Sequence, residues 1–429
     1  MKNISKTVFQ AAAAFAFAIV SANAAQSLTG RTDKDSYRIG EEIVFTFSVP
    51  GDDSQASRKI NWERNGDDGV REKGTAEIAP GGKAEVKTTA MRPGFAQVKA
   101  YLLDDGGKQS DNRDSRWIAS AAIEPGALQG VDEPQDFDEF WEKQKARLAA
   151  SPWKNGVKRE RVEDWENAKC DLFRISIPAP GSQPATAHMI MPKNAGADSK
   201  RPLKIQFHGY GWGGYGKPNP EWYGDGEIIL DVNAHGFELG RDADYYKAFE
   251  KNATKNGMYG FVASENDNPE TVYFNAMILR GLRVLQFAKS LPEWDGKNLT
   301  VSGGSQGGFQ ALLMAGLDGD ATFADANVPW LCDMGGKARL GRIDGWQPAF
   351  TDALNYYDPI HHARRIPNTC KVQISRNGLG DTVCPPSGIS VVYNNITAPK
   401  KMVFVQGSEH GDWGGMPAGT QTFTMSEAW

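Results

Sequence analysis

Ser305, Asp381 and His410 are the three side chains whose types and chain order could carry nucleophilic chemistry. Ser305 stands in "VSGGSQGGFQ" (301–310), between Gly303-Gly304 and Gly307-Gly308. A serine hydroxyl is a weak nucleophile until a base takes its proton, and the base needs a carboxylate to orient it. Glycines crowded around one serine mean either a slack polar loop or a tight turn that holds the hydroxyl where ordinary backbone cannot reach. Its neighbours favour the turn: "NLTVS" reads as a strand and "GFQALLMAGL" as a helix. Gly303-Gly304-Ser305-Gln306-Gly307 therefore fits G-x-S-x-G in the strand–turn–helix setting that supports a nucleophile. Side chains at 303 or 307 would collide with the neighbouring strand and helix, and glycine removes the collision. The helix N-terminus brings N–H groups and the positive end of a dipole beside the hydroxyl.

In a site of this kind the partners follow in the order Ser, then Asp or Glu, then His. His410, in "KKMVFVQGSEHG", comes after a strand and a turn and is the one histidine beyond His362. Asp381, in "CKVQISRNGLGDTVCPP", sits on the loop after the preceding strand. Asp381 would orient His410, and His410 would take the Ser305 proton. Asp381 could instead cap a turn. Asp358, in "YYDPIHH", is the rival acid, but Asp-Pro before a helix reads as a cap, with His361 and His362 serving packing or the surface. The oxyanion donors would be the backbone N–H of Gln306 and that of Tyr210 in "FHGYGWGGYG" (207–216). His208 reads as shaping that loop, because no carboxylate or cysteine cluster at ligand spacing accompanies it. Such a site needs no metal and no organic cofactor. Trp212, Tyr215, Trp330 and Trp413 lie on loops near it, where flat rings either pack the loops or meet sugar rings.

The elements that must position these groups follow from patterning. The chain has 429 residues, more than the roughly 250–300 over which one core grows. Residues 26–125 read as a small all-β domain of Ig-like sandwich size, with β-branched and aromatic residues in near alternation in "SYRIGEEIVFTFSV". Residues 126–429 alternate strands with helices, which implies an α/β architecture: a mostly parallel sheet with helices on both faces. In "DFDEFWEKQKARLAA", Phe137, Phe140, Trp141 and Leu148 share a helical face; over 269–291, Phe274, Ile278, Leu282, Leu285 and Ala288 do the same.

The first 25 residues carry Lys2 and Lys6, an apolar run from Val8 to Val20, and small Ala22 and Ala24, the pattern of a cleaved secretory leader. The reading places the protein outside the cytoplasm, secreted or periplasmic. No later stretch is long and apolar enough for a membrane span. A net charge of −5 with scattered Lys and Arg argues against nucleic acid as a partner. Cys170, Cys332, Cys370 and Cys384 show no CxxC spacing and read either as small buried apolar groups or as one disulfide.

From about residue 130 onward the chain resembles the acetyl xylan esterase and cephalosporin C deacetylase family, carbohydrate esterase family 7. "DFDEFW", "FHGYGW", "VSGGSQGG", "NVPWLCD", "GLGDTVCPP" and "GSEHG" match its landmarks in order. The resemblance implies an α/β-hydrolase fold, Ser305, Asp381 and His410 as the triad, and the backbones of Tyr210 and Gln306 as the oxyanion hole. It implies a serine esterase that removes O-acetyl groups from sugars, acting on an acetylated carbohydrate and assembling as a homo-oligomer. Two places depart from the family: Ala234-His235-Gly236 stands where it has Arg-Gly-Gln, and His410-Gly411 where it has His-Glu. Another carboxylester hydrolase or a serine peptidase would fit the same fold. A carbohydrate-binding protein with a degenerate site is the reading from another class.

Overall fold

A computed structural model describes residues 27–49, 58–104, 106–109, 113–213, 216–255, 257–411 and 422–429. The expected leader lies outside them. At the N-terminal side, strands β1 (Thr29–Thr32), β2 (Ser36–Tyr37), β3 (Ile43–Ser48), β4 (Arg58–Gly66), β5 (Arg71–Ile78), β6 (Lys83–Thr88), β7 (Gly94–Leu102) and β8 (Arg116–Ile123) form two sheets. Their orders are β1-β3-β6 and β2-β8-β7-β4-β5. Strand alternation turns Ile43, Phe45 and Phe47 of β3 inward, where they share one core with Ile60, Val86, Val98 and Ala119.

Ten further strands make the main sheet: β9 (Lys158–Arg161), β10 (Cys170–Ile177), β11 (Ala185–Pro192), β12 (Arg201–Phe207), β13 (Ile228–Asn233), β14 (Trp294–Gly304), β15 (Phe323–Asn327), β16 (Lys371–Gly378), β17 (Lys400–Val405) and β18 (Thr422–Glu427). Their order is β18-β17-β16-β15-β14-β12-β13-β11-β10-β9. From β13 to β17 neighbours run parallel, and both flanks are antiparallel. The helices are α1 (Phe137–Ala150), α2 (Ala243–Ala253), α3 (Tyr273–Lys289), α4 (Gln306–Asp318), α5 (Gly336–Leu340), α6 (Pro359–His362) and α7 (Pro386–Asn395). Parallel pairing puts the C-terminal ends of β12, β14, β16 and β17 on one edge of the sheet. Tyr210, Ser305, Asp381 and His410 each follow one of those ends, where ligands bind in open α/β sheets. The architecture is an α/β-hydrolase-like fold with a β domain ahead of it.

The helix faces follow the spacing. Phe137, Phe140, Trp141 and Leu148 of α1 are buried, as are Phe274, Ile278, Leu282, Leu285 and Ala288 of α3. Helix α3 begins at Tyr273 rather than at 269, because Asn268-Pro269 forms a turn: Asn268 Oδ1 accepts the Glu270 N–H and its carbonyl accepts from Thr271 and Val272. The fully buried Arg283 of α3 donates to the carbonyls of Leu148 and Ser151 at the end of α1. It thus satisfies carbonyls that a helix C-terminus leaves open. All four cysteines are unpaired thiols, three of them buried, so the disulfide alternative does not hold. Among the described residues no helix is long and apolar enough to cross a membrane.

The turn from β14 into α4 is tightly packed. A Cβ on Gly303 would lie 2.5 Å from the Gly307 carbonyl carbon, and one on Gly307 would run into the Phe207 carbonyl oxygen. At Gly308 a Cβ would meet Asn327 O at 2.9 Å and Pro329 Cα at 3.0 Å, which presses α4 against the chain leaving β15. The Gly308→Ala variant must push the helix off that backbone. It is expected to lose about 1–3 kcal/mol, read as a lower midpoint in thermal unfolding; an unchanged midpoint would show that α4 has room to move.

His188 in β11 is buried, and among the described residues neither ring nitrogen has a hydrogen-bond partner. Burial, and then the charge of Arg174, push its pKa down to about 4. The unfolded chain takes up that proton near pH 6.5, so the histidine's contribution is present above pH 6.5 and is lost as pH falls toward 4. The His188→Leu variant should therefore gain stability over the parent, with about 2 kcal/mol more gained at pH 5 than at pH 8. Equal gains at the two pH values, measured by denaturant unfolding, would show that His188 is not held neutral.

Candidate active site

Ser305 adopts φ 55° and ψ −116°, a strained region for a residue with a side chain. Backbone hydrogen bonds on both sides hold it there. Its N–H donates to Asn327 O at 2.9 Å, and its carbonyl accepts from Phe309 and Trp330, both at 3.0 Å. The serine is buried apart from a small opening, at 8 % exposure. Gln306 is the first residue of α4, so its N–H has no acceptor within the helix.

Asp381 is fully buried. Its Oδ1 accepts the N–H groups of Val383 at 2.7 Å and Cys384 at 2.8 Å. Its Oδ2 lies 2.8 Å from His410 Nδ1. An ionised carboxylate only accepts, so the proton of this bond sits on Nδ1 and Nε2 is the basic nitrogen. Ser305 is among the groups that act on the Cys384 thiol, whose sulfur is within 4.8 Å of ligand-type atoms of Asp381 and His410. Asp381 and His410 thus meet beside the Cys384 thiol. Burial, with Asp381 beside it, pushes the Cys384 pKa well above its ordinary value, which keeps the sulfur protonated. Asp358 is placed elsewhere: it caps α6 and accepts from Ile360, Asp333 and Met334, as the Asp-Pro pattern suggested.

The loop after β12 is tied to α4 through Tyr259. The Gly211 N–H donates to Tyr259 Oη at 2.9 Å, and the same hydroxyl donates to Gln306 Oε1 at 2.7 Å. In return Tyr210 Oη donates to Tyr259 O and accepts the Tyr259 N–H, with the two rings stacked 4.1 Å apart. Beneath the loop, His235 stacks on Trp212 at 4.2 Å. Its Nε2 donates to Gly211 O at 2.9 Å, so Nδ1 accepts from Tyr273 Oη at 2.6 Å. Burial and the neighbouring His208 push the His235 pKa down to about 3, which keeps the ring neutral. His208 Nε2 accepts the Ala234 N–H, and Nδ1 donates to Gly209 O. Both histidines brace the loop, and the Ala234-His235-Gly236 departure fills the space under it.

The aromatic residues divide. Trp212 is half-buried on His235, and Tyr215 and Trp413 lie outside the described residues. Trp330 corrects the expectation that it faces a sugar. It is fully buried, its indole N–H donates to the Trp346 carbonyl, and its own backbone N–H binds Ser305 O. A ring so anchored cannot offer its face to solvent. Trp346, stacked on Trp330 and edge-on to Tyr210, is the exposed member of that cluster. Neither Tyr259 nor Trp346 stood out in the sequence. Tyr259 sits in an irregular stretch, "GMYGFV", with no period to mark its side as buried.

The acetyl xylan esterase (AXE1) family matches residues 129–347 and 346–425. The acetyl esterase Axe7A of Xylanibacter ruminicola is 31% identical over 334 residues, 75% of this chain and 72% of that protein. Among solved structures, the acetyl xylan esterase of Paenibacillus sp. R4 superposes with a TM-score of 0.55 at 24% identity, covering 68% of this chain and 94% of that one. Acetyl xylan esterase 1 of Thermoanaerobacterium sp. JW/SL YS485 does so with 0.55 at 23%, covering 69% and 93%. These two likenesses carry the fold, and the family match carries the rest: this chain belongs to the acetyl xylan esterase family of carboxylic ester hydrolases.

Proposed function

We propose that the protein is a serine esterase that removes O-acetyl groups from sugars or oligosaccharides through an acyl-enzyme at Ser305. The observation that carries this reading is the 2.8 Å bond from His410 Nδ1 to Asp381 Oδ2, on loops at the same sheet edge as a serine held on a positive-φ turn. His410 Nε2 takes the Ser305 proton as Oγ attacks the acetyl carbonyl carbon. The N–H groups of Tyr210 and Gln306 bind the oxyanion that forms. The C–O bond to the sugar then breaks, and His410 returns the proton to the departing hydroxyl. Water attacks the acyl-enzyme by the same route in reverse, releasing acetate and restoring Ser305. The placement of Trp330 and Tyr210 supports a short acyl group, because their rings pack against each other next to the serine backbone. A sugar would lie across the more open side, against Trp212 and Trp346. The N-terminal leader pattern and the carbohydrate-directed names of the relatives support action outside the cytoplasm on an acetylated polysaccharide or its fragments.

Acetate release from acetylated xylan, small acetyl-sugars and a cephalosporin tests the reading. Ser305→Ala should abolish release, and Asp381→Asn should lower turnover at least about 10³-fold with the fold intact. Full activity of Ser305→Ala, or cleavage of peptides in preference to acetyl esters, would sink it. Tyr259→Phe removes the hydroxyl that joins Gly211 to Gln306. It should lower kcat for p-nitrophenyl acetate about 10-fold with little change in KM; an unchanged kcat would mean the two donors hold their places without it.

A further inference from the structure

The two loops that carry Asp381 and His410 are gripped by the β domain, 260 or more residues earlier in the chain. Gln97 on β7 and Ser120 on β8 are cross-strand partners. Gln97 Nε2 donates to the carbonyl of Leu379, two residues before Asp381, at 2.8 Å in a buried setting. Ser120 meets Gln406, four residues before His410, twice: its N–H donates to Gln406 Oε1 at 2.8 Å and its carbonyl accepts from Nε2 at 2.7 Å. Strand order explains the second pair. β2 covers β8 only at Ala122 and Ile123, so among the described residues no strand pairs with the outer edge of β8 at Ser120. The Gln406 amide takes the place of a neighbouring peptide there and satisfies both groups.

The rest of β8 presses on the same loops. A Cβ on Gly407 would run into the edge of the Trp117 ring, and one on Gly380 would lie 2.8 Å from Ile118 Cβ. Those glycines admit β8 side chains to the backbone just before the acid and the base. At the rim, Arg116 pairs with Glu409, the residue before His410, at 2.9 Å. The loops also bind each other: the Gly380 N–H donates to Ser408 O, and the Leu379 N–H to Val405 O.

We infer that the β domain is a positioning part of the active site, holding the acid and base loops in register through Gln97, Ser120–Gln406, Trp117 and Arg116. The inference rests on the serine-esterase reading and adds to it a task for residues that lie outside the hydrolase sheet. A domain that served only to bind carbohydrate would act on KM; a domain that aligns His410 with Asp381 acts on kcat.

The test uses full-length Gln97→Met and Gln406→Met, which keep side-chain length and remove the hydrogen bonds, with p-nitrophenyl acetate as substrate. Each should lower kcat about 10-fold or more while KM stays within about 2-fold. If either fails to fold, the half-exposed Arg116→Ala serves: it should lower kcat in the same way, and Arg116→Lys should restore it. Wild-type kcat in all of these variants, or a loss confined to KM, overturns the inference. The Ser305→Ala control separates the two claims. If that variant is inactive while the interface variants keep wild-type kcat, the clamp is wrong and the serine reading stands. If Ser305→Ala is active, the serine reading itself fails.

Discussion

The backbone of Ser305 is the constraint on which the site depends. At φ 55° and ψ −116° it is strained by about 1–3 kcal/mol for a residue with a Cβ, and it persists because its surroundings over-determine it. Its N–H and carbonyl bind the chain leaving β15 and the first turn of α4. Gly303 and Gly307 let strand and helix approach until the Gly307 backbone nearly touches Phe207 O. The gain is geometric: a hydroxyl at the C-terminal edge of the sheet, beside the open N-terminus of a helix, with the ends of β12, β16 and β17 on the same edge. Parallel pairing then means that every other functional group needs only a short loop to reach it.

Those loops are held by buried polar groups rather than by apolar packing alone. Tyr259 is the clearest case, since one hydroxyl accepts from Gly211 and donates to Gln306. His235 and His208 act similarly from below, each with one nitrogen donating and one accepting. Such networks are costly when half made and rigid when complete. The downward pKa shift of His235 follows from the same burial, which withdraws a charged ring from solvent, and from the neighbouring His208. On the proposed mechanism such a rigid loop suits the oxyanion donors, which must be in place before charge develops.

Much of this was legible in the sequence, and what was not has a physical reason. The strand–turn–helix around Ser305 could be read because glycine spacing and apolar periodicity are local. The faces of α1 and α3 could be read for the same reason. The β domain ahead of an α/β sheet followed from the switch of pattern near residue 125. The early start expected for α3 failed because Asn268 and Pro269 turn the chain before the helix begins. Trp330 shows the harder limit. A tryptophan on a loop is equally compatible with solvent and with core, and only the carbonyl of Trp346 sixteen residues on decides. Tyr259 and the β8 edge are further cases: their partners are 47 and 286 residues away, and no pattern of residue types announces them.

Asp358 and Asp381 show how position, rather than residue type, assigns a carboxylate. Both are fully buried, and both accept backbone N–H groups on a tight turn. Asp358 uses both oxygens on backbone donors: Oδ1 takes Asp333 and Ile360, and Oδ2 takes Met334. Burial and the nearby Asp333 push its pKa up to about 8, against the pull of those three donors. Its lone pairs serve the folding of the chain around α6. Asp381 places both of its backbone donors on Oδ1, and that leaves Oδ2 to the imidazole of His410. The difference between a cap and a catalytic acid, on the proposed mechanism, is therefore one oxygen left over by the turn. Just before that turn, Leu379 and Gly380 are tied to Gln97, Val405 and Ser408.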